Sequence, residues 1–314
     1  MLWKVRPDMA EIVASNRGAV IIAAVLMVFL LAVLFVYKES TGFRVVRYSF
    51  VNNKLKKPSF RFVMISDMHD CIYGERNCEV LEAIDKEQPE AILLAGDMVT
   101  SYMEPEYHDS NAVRFIEDLA GKYPVYYGIG NHEDKLRRCP DEFPGKYKEL
   151  TDELARIGIH MLLDEKVSID EAGIDIYGLD MEHEYYRKLR TNWIPDGYLE
   201  GKLGTNDRSR ISILLAHNPE HFDRYAGWEP DYVLSGHVHG GIINIPLLGG
   251  VISPQLKLFP KYDAGVFHKD KSTMILSRGL GSHTVPIRVF NKAEVVVVDL
   301  YRDEADRGKH QRSV

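Results

Sequence analysis

Two histidines one residue apart, His237 and His239, sit in the stretch LSGHVHGG directly after the apolar run DYV. Imidazoles between glycines have little to pack against, whereas their ring nitrogens are ready ligands for a divalent metal. The same arrangement returns elsewhere in the chain. FRFVMIS runs into Asp67, followed by Met68 and His69; AILLAG runs into Asp97; VYYGIG runs into Asn131, then His132 and Glu133; ISILLA runs into His217. Each run is short and rich in Val, Ile, Leu and aromatic residues, and so reads as a buried strand. Three of the ligand-type residues follow glycine directly, at Gly96-Asp97, Gly130-Asn131 and Gly236-His237. Singly, an Asp after a strand is often a turn or cap residue. Five strand ends with the same property point to one shared metal site.

The elements that must position these residues alternate. Between the strands, residues 79–87, 113–121 and 147–157 carry apolar side chains at three- and four-residue spacing, the pattern of amphipathic helices. Strands alternating with helices predict an α/β fold with mostly parallel pairing. Ligands then lie beyond the carboxyl ends of the strands, so the five endings are expected to meet at one edge.

The donors are carboxylates, an amide oxygen and imidazoles, without a thiolate. That set suits Mn²⁺, Fe²⁺ or Zn²⁺, with Mn²⁺ favoured, over copper or an iron–sulfur cluster. Seven candidates (Asp67, His69, Asp97, Asn131, His217, His237 and His239) exceed the three or four that one zinc takes. Two ions sharing a bridging carboxylate are expected, an arrangement that serves phosphoryl chemistry.

The ordered series Asp67-x-His69, Gly96-Asp97, Gly130-Asn131-His132-Glu133, His217 and Gly236-His237-x-His239 resembles the motif series of the calcineurin-like metallophosphoesterases over roughly residues 60–300. AHNPE, SGHVHGG, LFPKYDAG and SRGLG followed by PIR are similar to stretches of its bacterial branch with an amino-terminal membrane segment or export signal. The resemblance implies a four-layer α-β-β-α sandwich of two mixed sheets flanked by helices. It implies that Asp67, His69 and His239 bind one ion, that Asp97 bridges, and that Asn131, His217 and His237 complete the second. It makes His132 the catalytic residue that protonates or stabilises the leaving oxygen as a metal-bridging hydroxide attacks phosphorus. One position departs from the pattern: Thr100 stands where many relatives carry an acid that orients the histidine, leaving Glu133 or a backbone carbonyl to take that part. Arg278 is expected either to contact substrate phosphate or to form a structural pair with a carboxylate.

At the level of the whole chain, a net charge of −7 without a basic block argues against nucleic acid as a partner. Three cysteines without Cys-x-x-Cys spacing are too few for a disulfide framework. Residues 18–37, GAVIIAAVLMVFLLAVLFVY, are twenty residues without a charge, long enough to span a bilayer as a helix. A cleaved signal peptide is the rival reading, and the absence of a small-x-small site near KESTG favours an uncleaved anchor. Basic residues flank the segment evenly, and a short amino-terminal tail leans toward an extracytoplasmic catalytic domain. The expected organisation is a tail at 1–17, a transmembrane anchor at 18–37, a connector at 38–58, the catalytic domain at 59–301 and a flexible tail at 302–314. The expected function is a membrane-anchored, dinuclear-metal phosphodiesterase or pyrophosphatase acting on an envelope-associated or lipid-linked phosphate ester. A low-specificity phosphomonoesterase and a membrane-tethered metal-binding sensor without turnover are the alternatives.

Overall fold

The computed structural model describes residues 9–102, 107, 110–187, 192–241, 244–245, 249–250, 259–282 and 287–311. Leu258 of the stretch LFPKYDAG and Pro286 of PIR lie outside these residues. The chain enters through α1 (Met9–Thr41) and passes a single residue, Gly42, into β1 (Phe43–Val51). There follow β2 (Ser59–Ile65), α2 (Cys78–Glu87), β3 (Ala91–Ala95), α3 (Asn111–Ala120), β4 (Val125–Gly128), α4 (Asn131–Arg138), α5 (Lys146–Arg156) and β5 (Met161–Leu162). The second half runs β6 (Glu165–Ile169), β7 (Ile174–Gly178), α6 (Tyr198–Leu203), β8 (Ile211–Leu215), α7 (Phe222–Tyr225) and β9 (Tyr232–Ser235). It ends with β10 (Asn244–Ile245), β11 (Gly249–Gly250), β12 (Gly265–Lys269), β13 (Ser272–Leu276), β14 (Ala293–Tyr301) and α8 (Glu304–Gln311).

The strands form two six-stranded mixed sheets, ordered β1-β14-β2-β3-β4-β5 and β12-β13-β9-β8-β7-β6, with β10 and β11 as a separate pair. Period-two alternation decides the layers. In β2, Phe62 and Met64 face the other sheet, where they pack with Ile176, Ile213 and Leu234. Val63 and Ile65 face the opposite way, against Ile84 of α2, Phe115 and Leu119 of α3, and Leu150 and Leu154 of α5. The outer face of the second sheet, including Leu214, Val233 and Met274, is covered by Leu199, Phe222, Tyr225 and Trp228. Three apolar layers thus separate four layers of secondary structure, the α-β-β-α sandwich that the sequence resemblance implied.

The expectation of a single sheet edge needs correction. β2, β3 and β4 lie in the first sheet, whereas β8 and β9 lie in the second. The five endings meet because the two sheets stack with these strand ends on the same side of the sandwich. The connector also needs correction. Residues 43–51 are not a linker: β1 pairs in parallel with β14 along its whole length, Phe43 opposite Ala293 to Val51 opposite Tyr301. Its residues, FRVVRYSFV, are mostly half-buried against the domain and belong to it. The expected flexible tail likewise contains α8, whose Asp306 is buried and paired with Arg302. Within residues 18–41 of α1, an 18-residue stretch has a mean hydropathy of 3.3 and none of its residues is buried in the domain, so this helix is long and apolar enough to cross a membrane.

Candidate metal centre

Asp67 follows β2 after one serine, and its backbone N–H donates to Gly96 O at 2.9 Å, which ties the end of β2 to the end of β3. His69 N donates to Asp97 O at 3.1 Å in the same way. From the second sheet, His237 N donates to Asp67 Oδ1 at 2.8 Å, and His217 Nε2 lies 3.0 Å from Asp97 Oδ2. The structure therefore brings all the sequence-selected side chains of both sheets into one cleft. Asp67, His69 and His239 form one cluster of closely spaced donor atoms, and Asp97, His217 and His237 form another. Asn131, the first residue of α4, buries an Oδ1 that has no hydrogen-bond partner.

The backbone is strained where the ligands sit. Asp67, His69, Asp97, His237 and His239 all have φ between 47° and 72°, in the left-handed region that side chains other than glycine enter reluctantly. Such conformations cluster at functional sites, where the surrounding structure holds them in place. The glycines before the ligands have a steric cause. A Cβ at Gly236 would stand 2.1 Å from Asp67 Oδ2, and one at Gly130 would stand 2.3 Å from Asp97 Oδ1. The two sheets converge so tightly at the cleft that only backbone fits beside the carboxylates.

Two imidazoles are oriented by their remote nitrogens. His217 Nδ1 lies 2.6 Å from Ala95 O and His239 Nδ1 lies 3.2 Å from Gly281 O, contacts in which the ring donates and leaves Nε2 for a metal. His239 Nε2 and His69 Nε2 are 3.1 Å apart. Two ligand nitrogens at ~2.0–2.1 Å from one ion would be spaced about this far. The electrostatics agree. Burial works against a charge on His217, but the Asp97 and Asp67 carboxylates prevail and raise it to about 10. Burial pushes Asp67 up to about 6. The two buried carboxylates thus favour positive charge beside them, which a divalent cation would supply. Donor chemistry, the orphaned Asn131 oxygen and the strained ligand backbones all fit two divalent ions.

His132 belongs to a third group of closely spaced donor atoms, with His69 and Asp97, and its ring lies 4.8 Å edge-on from that of His69. Its orienting group was not legible from the sequence. Neither Thr100 nor Glu133 fills that part; Ser101 donates its backbone N–H to His132 Nδ1 at 3.0 Å, with Oγ at 3.1 Å. With Nδ1 accepting, a neutral ring carries its proton on Nε2. Burial lowers the His132 pKa below its ordinary value, which favours this neutral form. Glu133 plays a different part, as its carboxylate accepts from the backbone N–H groups of Asp97, Met98, Val99 and Gly130 and from Tyr127 Oη. The sequence trace of this role was its place three residues after Gly130, the spacing of a helix-start carboxylate.

Further residues emerge only in three dimensions. Asn291 Nδ2 donates to His239 O at 2.7 Å, and Arg288 donates to Gly281 O at 2.6 Å, so both brace the loops around His239. Arg278 forms the expected structural pair, its Nε 3.7 Å from Glu294 Oε2, while Nη1 donates to Asn291 Oδ1 and its backbone N to Glu294 Oε1. His183 is exposed on a short helical turn. Cys71, Cys78 and Cys139 are free thiols.

Two stacked mixed sheets with a carboxylate–imidazole double cluster across their strand ends define a metal-dependent phosphoesterase. The chain belongs to the calcineurin-like phosphoesterase family, whose model matches residues 60–241; members of this family bind two divalent metals. It is similar to an uncharacterized metallophosphoesterase of Campylobacter jejuni, with 26% identity over 81% of this chain and 66% of the relative, so the chain spans slightly under two thirds of that protein. It is similar to the uncharacterized metallophosphoesterase YkuE of Bacillus subtilis (27% identity, 77% of this chain and 79% of the relative). It is also similar to phosphodiesterase YaeI of Escherichia coli (22% identity, 84% and 90%). Among solved structures, a dimetal phosphatase from Danio rerio matches with 13% identity and a TM-score of 0.41, covering 79% of this chain and 94% of its own.

Proposed function

We propose that the protein is a membrane-anchored phosphodiesterase or pyrophosphatase that uses two divalent ions, Mn²⁺ foremost, on an envelope-associated phosphate ester. The observation that carries this reading is the pair of donor clusters, Asp67/His69/His239 and Asp97/His217/His237, with the unpartnered Asn131 oxygen beside them. Asp97 would serve both ions, since it lies among closely spaced donors with His217 and His237 and also with His69 and His132. When bound, the ion pair lowers the pKa of a water and neutralises phosphate charge. The chain's own residues do the rest. The seven donors fix where phosphate oxygens can lie. The N-terminus of α4 presents its dipole to Asp97. His132, held by Ser101 with a proton on Nε2, donates that proton to the departing oxygen. The diester preference rests on the likeness to the relative named a phosphodiesterase. The anchor reading rests on the unburied apolar stretch of α1, and with it we propose an extracytoplasmic catalytic domain.

The test is Asp97→Asn in the full chain. Loss of both metal content and Mn²⁺-supported turnover of bis-p-nitrophenyl phosphate is expected. Retention of two ions and full turnover refutes the bridging role. Activity of the wild-type chain on monoesters alone selects the monoesterase alternative, and metal binding without any turnover selects the sensor. Protease added to spheroplasts digests the domain if it lies outside.

A further inference from the structure

The joint between α1 and the domain is too short to let the domain stand off from a membrane. Only Gly42 separates the helix end at Thr41 from Phe43 of β1, and one residue spans at most ~3.6 Å. The joint is also braced on both sides. Phe35 of α1 packs on Phe290, ring centroids 4.9 Å apart, and Arg288 N donates to Ser40 Oγ at 2.9 Å. On the other side, Phe43 packs edge-on against Tyr73 at 5.2 Å, and Tyr73 Oη donates to Leu280 O.

Around this joint the domain exposes apolar side chains that its own core does not need. Ile72 is 50% exposed, Ile287 47% and Phe290 53%. Phe290 also holds a φ of +51°, a strained conformation for a bulky aromatic, and its ring packs on the apolar anchor while half of the side chain stays exposed. The same short segments reach the metal cleft from behind. Asn291, next to Phe290, holds His239 O, Arg288, next to Ile287, holds Gly281 O, and Ile72 lies three residues after His69.

We infer that the face formed by Ile72, Ile287 and Phe290 beds into the bilayer interface, so that the metal site behind it is held close to the headgroups and takes phosphate esters of membrane lipids. The inference rests on the anchor reading and deepens it by naming the occupant of the exposed face. Its support is continuity with the apolar helix: Phe290 packs on Phe35 of α1, Ile287 adjoins Arg288, which is bonded to Ser40, and Ile72 adjoins Tyr73, which packs on Phe43. Lys38, exposed in the last turn of α1, adds a positive charge suited to anionic headgroups.

The experiment uses the full chain reconstituted in vesicles of phosphatidylcholine and phosphatidylglycerol. In a Phe290→Trp variant, the added fluorescence is read against the unsubstituted chain, whose three tryptophans give the background. Strong quenching by acyl chains brominated near the headgroup, with little quenching by aqueous iodide, is expected. Iodide quenching alone overturns the inference. Separately, the pair Ile287→Asp and Phe290→Asp should slow hydrolysis of phosphatidyl-p-nitrophenol in the vesicle by about tenfold or more, because apolar burial is lost, while turnover of soluble bis-p-nitrophenyl phosphate is kept. Equal rates on the vesicle ester for variant and wild type also overturn it. Both esters release p-nitrophenolate, so an absence of turnover in the wild type would count against the hydrolase reading. Release of the wild type by alkaline washing would count against the anchor. Neither result is confused with an unquenched indole in an anchored, active chain.

Discussion

Replacing Glu133 by Gln is the sharpest test of how the cleft is built. The Glu133 side chain is fully buried, and its carboxylate faces five donors and no acceptor. Oε1 accepts from Met98 N, Val99 N and Tyr127 Oη; Oε2 accepts from Asp97 N and Gly130 N. A glutamine must turn its amide NH₂ toward one of these sets. If it faces Asp97 and Gly130, two backbone N–H groups lose their acceptor. If it faces the other set, Tyr127 can rotate its hydroxyl to accept, but Met98 N and Val99 N cannot. Either choice leaves two buried donors unsatisfied at about 1–3 kcal/mol each, so Glu133→Gln should destabilise the domain by about 2–6 kcal/mol. The strain is applied at the backbone of Asp97, so metal retention should fall with stability. Urea titration of the metal-loaded chain, with elemental analysis of the folded fraction, reads both. A loss below about 0.5 kcal/mol, the scatter of ordinary surface substitutions, together with two retained ions, would refute the account of Glu133 as the tie between β3 and α4.

His132→Ala should lower kcat by about 10²–10⁴-fold, the usual weight of general acid catalysis, with both ions retained. The loss should be smallest for p-nitrophenyl esters, whose leaving group needs little protonation, and an equal loss across leaving groups would count against proton donation. Because the apo pKa of His217 is raised to about 10, the metal-free site holds that proton at neutral pH. Metal uptake should therefore release protons and tighten as pH rises toward 10, as calorimetry in buffers of different ionisation enthalpy would reveal. By the same shift, the His217 contribution to apo stability is complete below its ordinary value of 6.5 and is lost as pH rises through about 10. Finally, removing residues 1–42 should leave a folded, active domain, whereas removing 1–58 deletes β1 and bares the long β14 edge, so the shorter product should aggregate or lose stability. Equal solubility and activity of the two truncations would show that β1 is dispensable.

What the sequence determined is local. Strand runs such as AILLA and ISILL announce themselves by β-branched and aliphatic content, and α2, α3 and α5 by the spacing of their apolar residues. Donor types at strand ends were equally legible, because metal chemistry restricts them to few residue types. A helix long and apolar enough to cross a membrane was visible from length and lack of charge alone. Tertiary structure decided what depends on distant partners. β1, with Arg44 and Arg47 among its apolar residues, reads as part of a short basic connector, and only pairing with β14, some 250 residues away, makes it a strand of the domain. That the strand ends come from two stacked sheets rather than one edge follows from which faces meet in the central core, a choice that strand composition does not encode. The partner of His132 is a backbone N–H at Ser101, and a main-chain donor leaves no mark in side-chain identity. Asn291 and Arg288 likewise act on backbone carbonyls of loops far away in the chain, so their weight lies in positions, not in residue types.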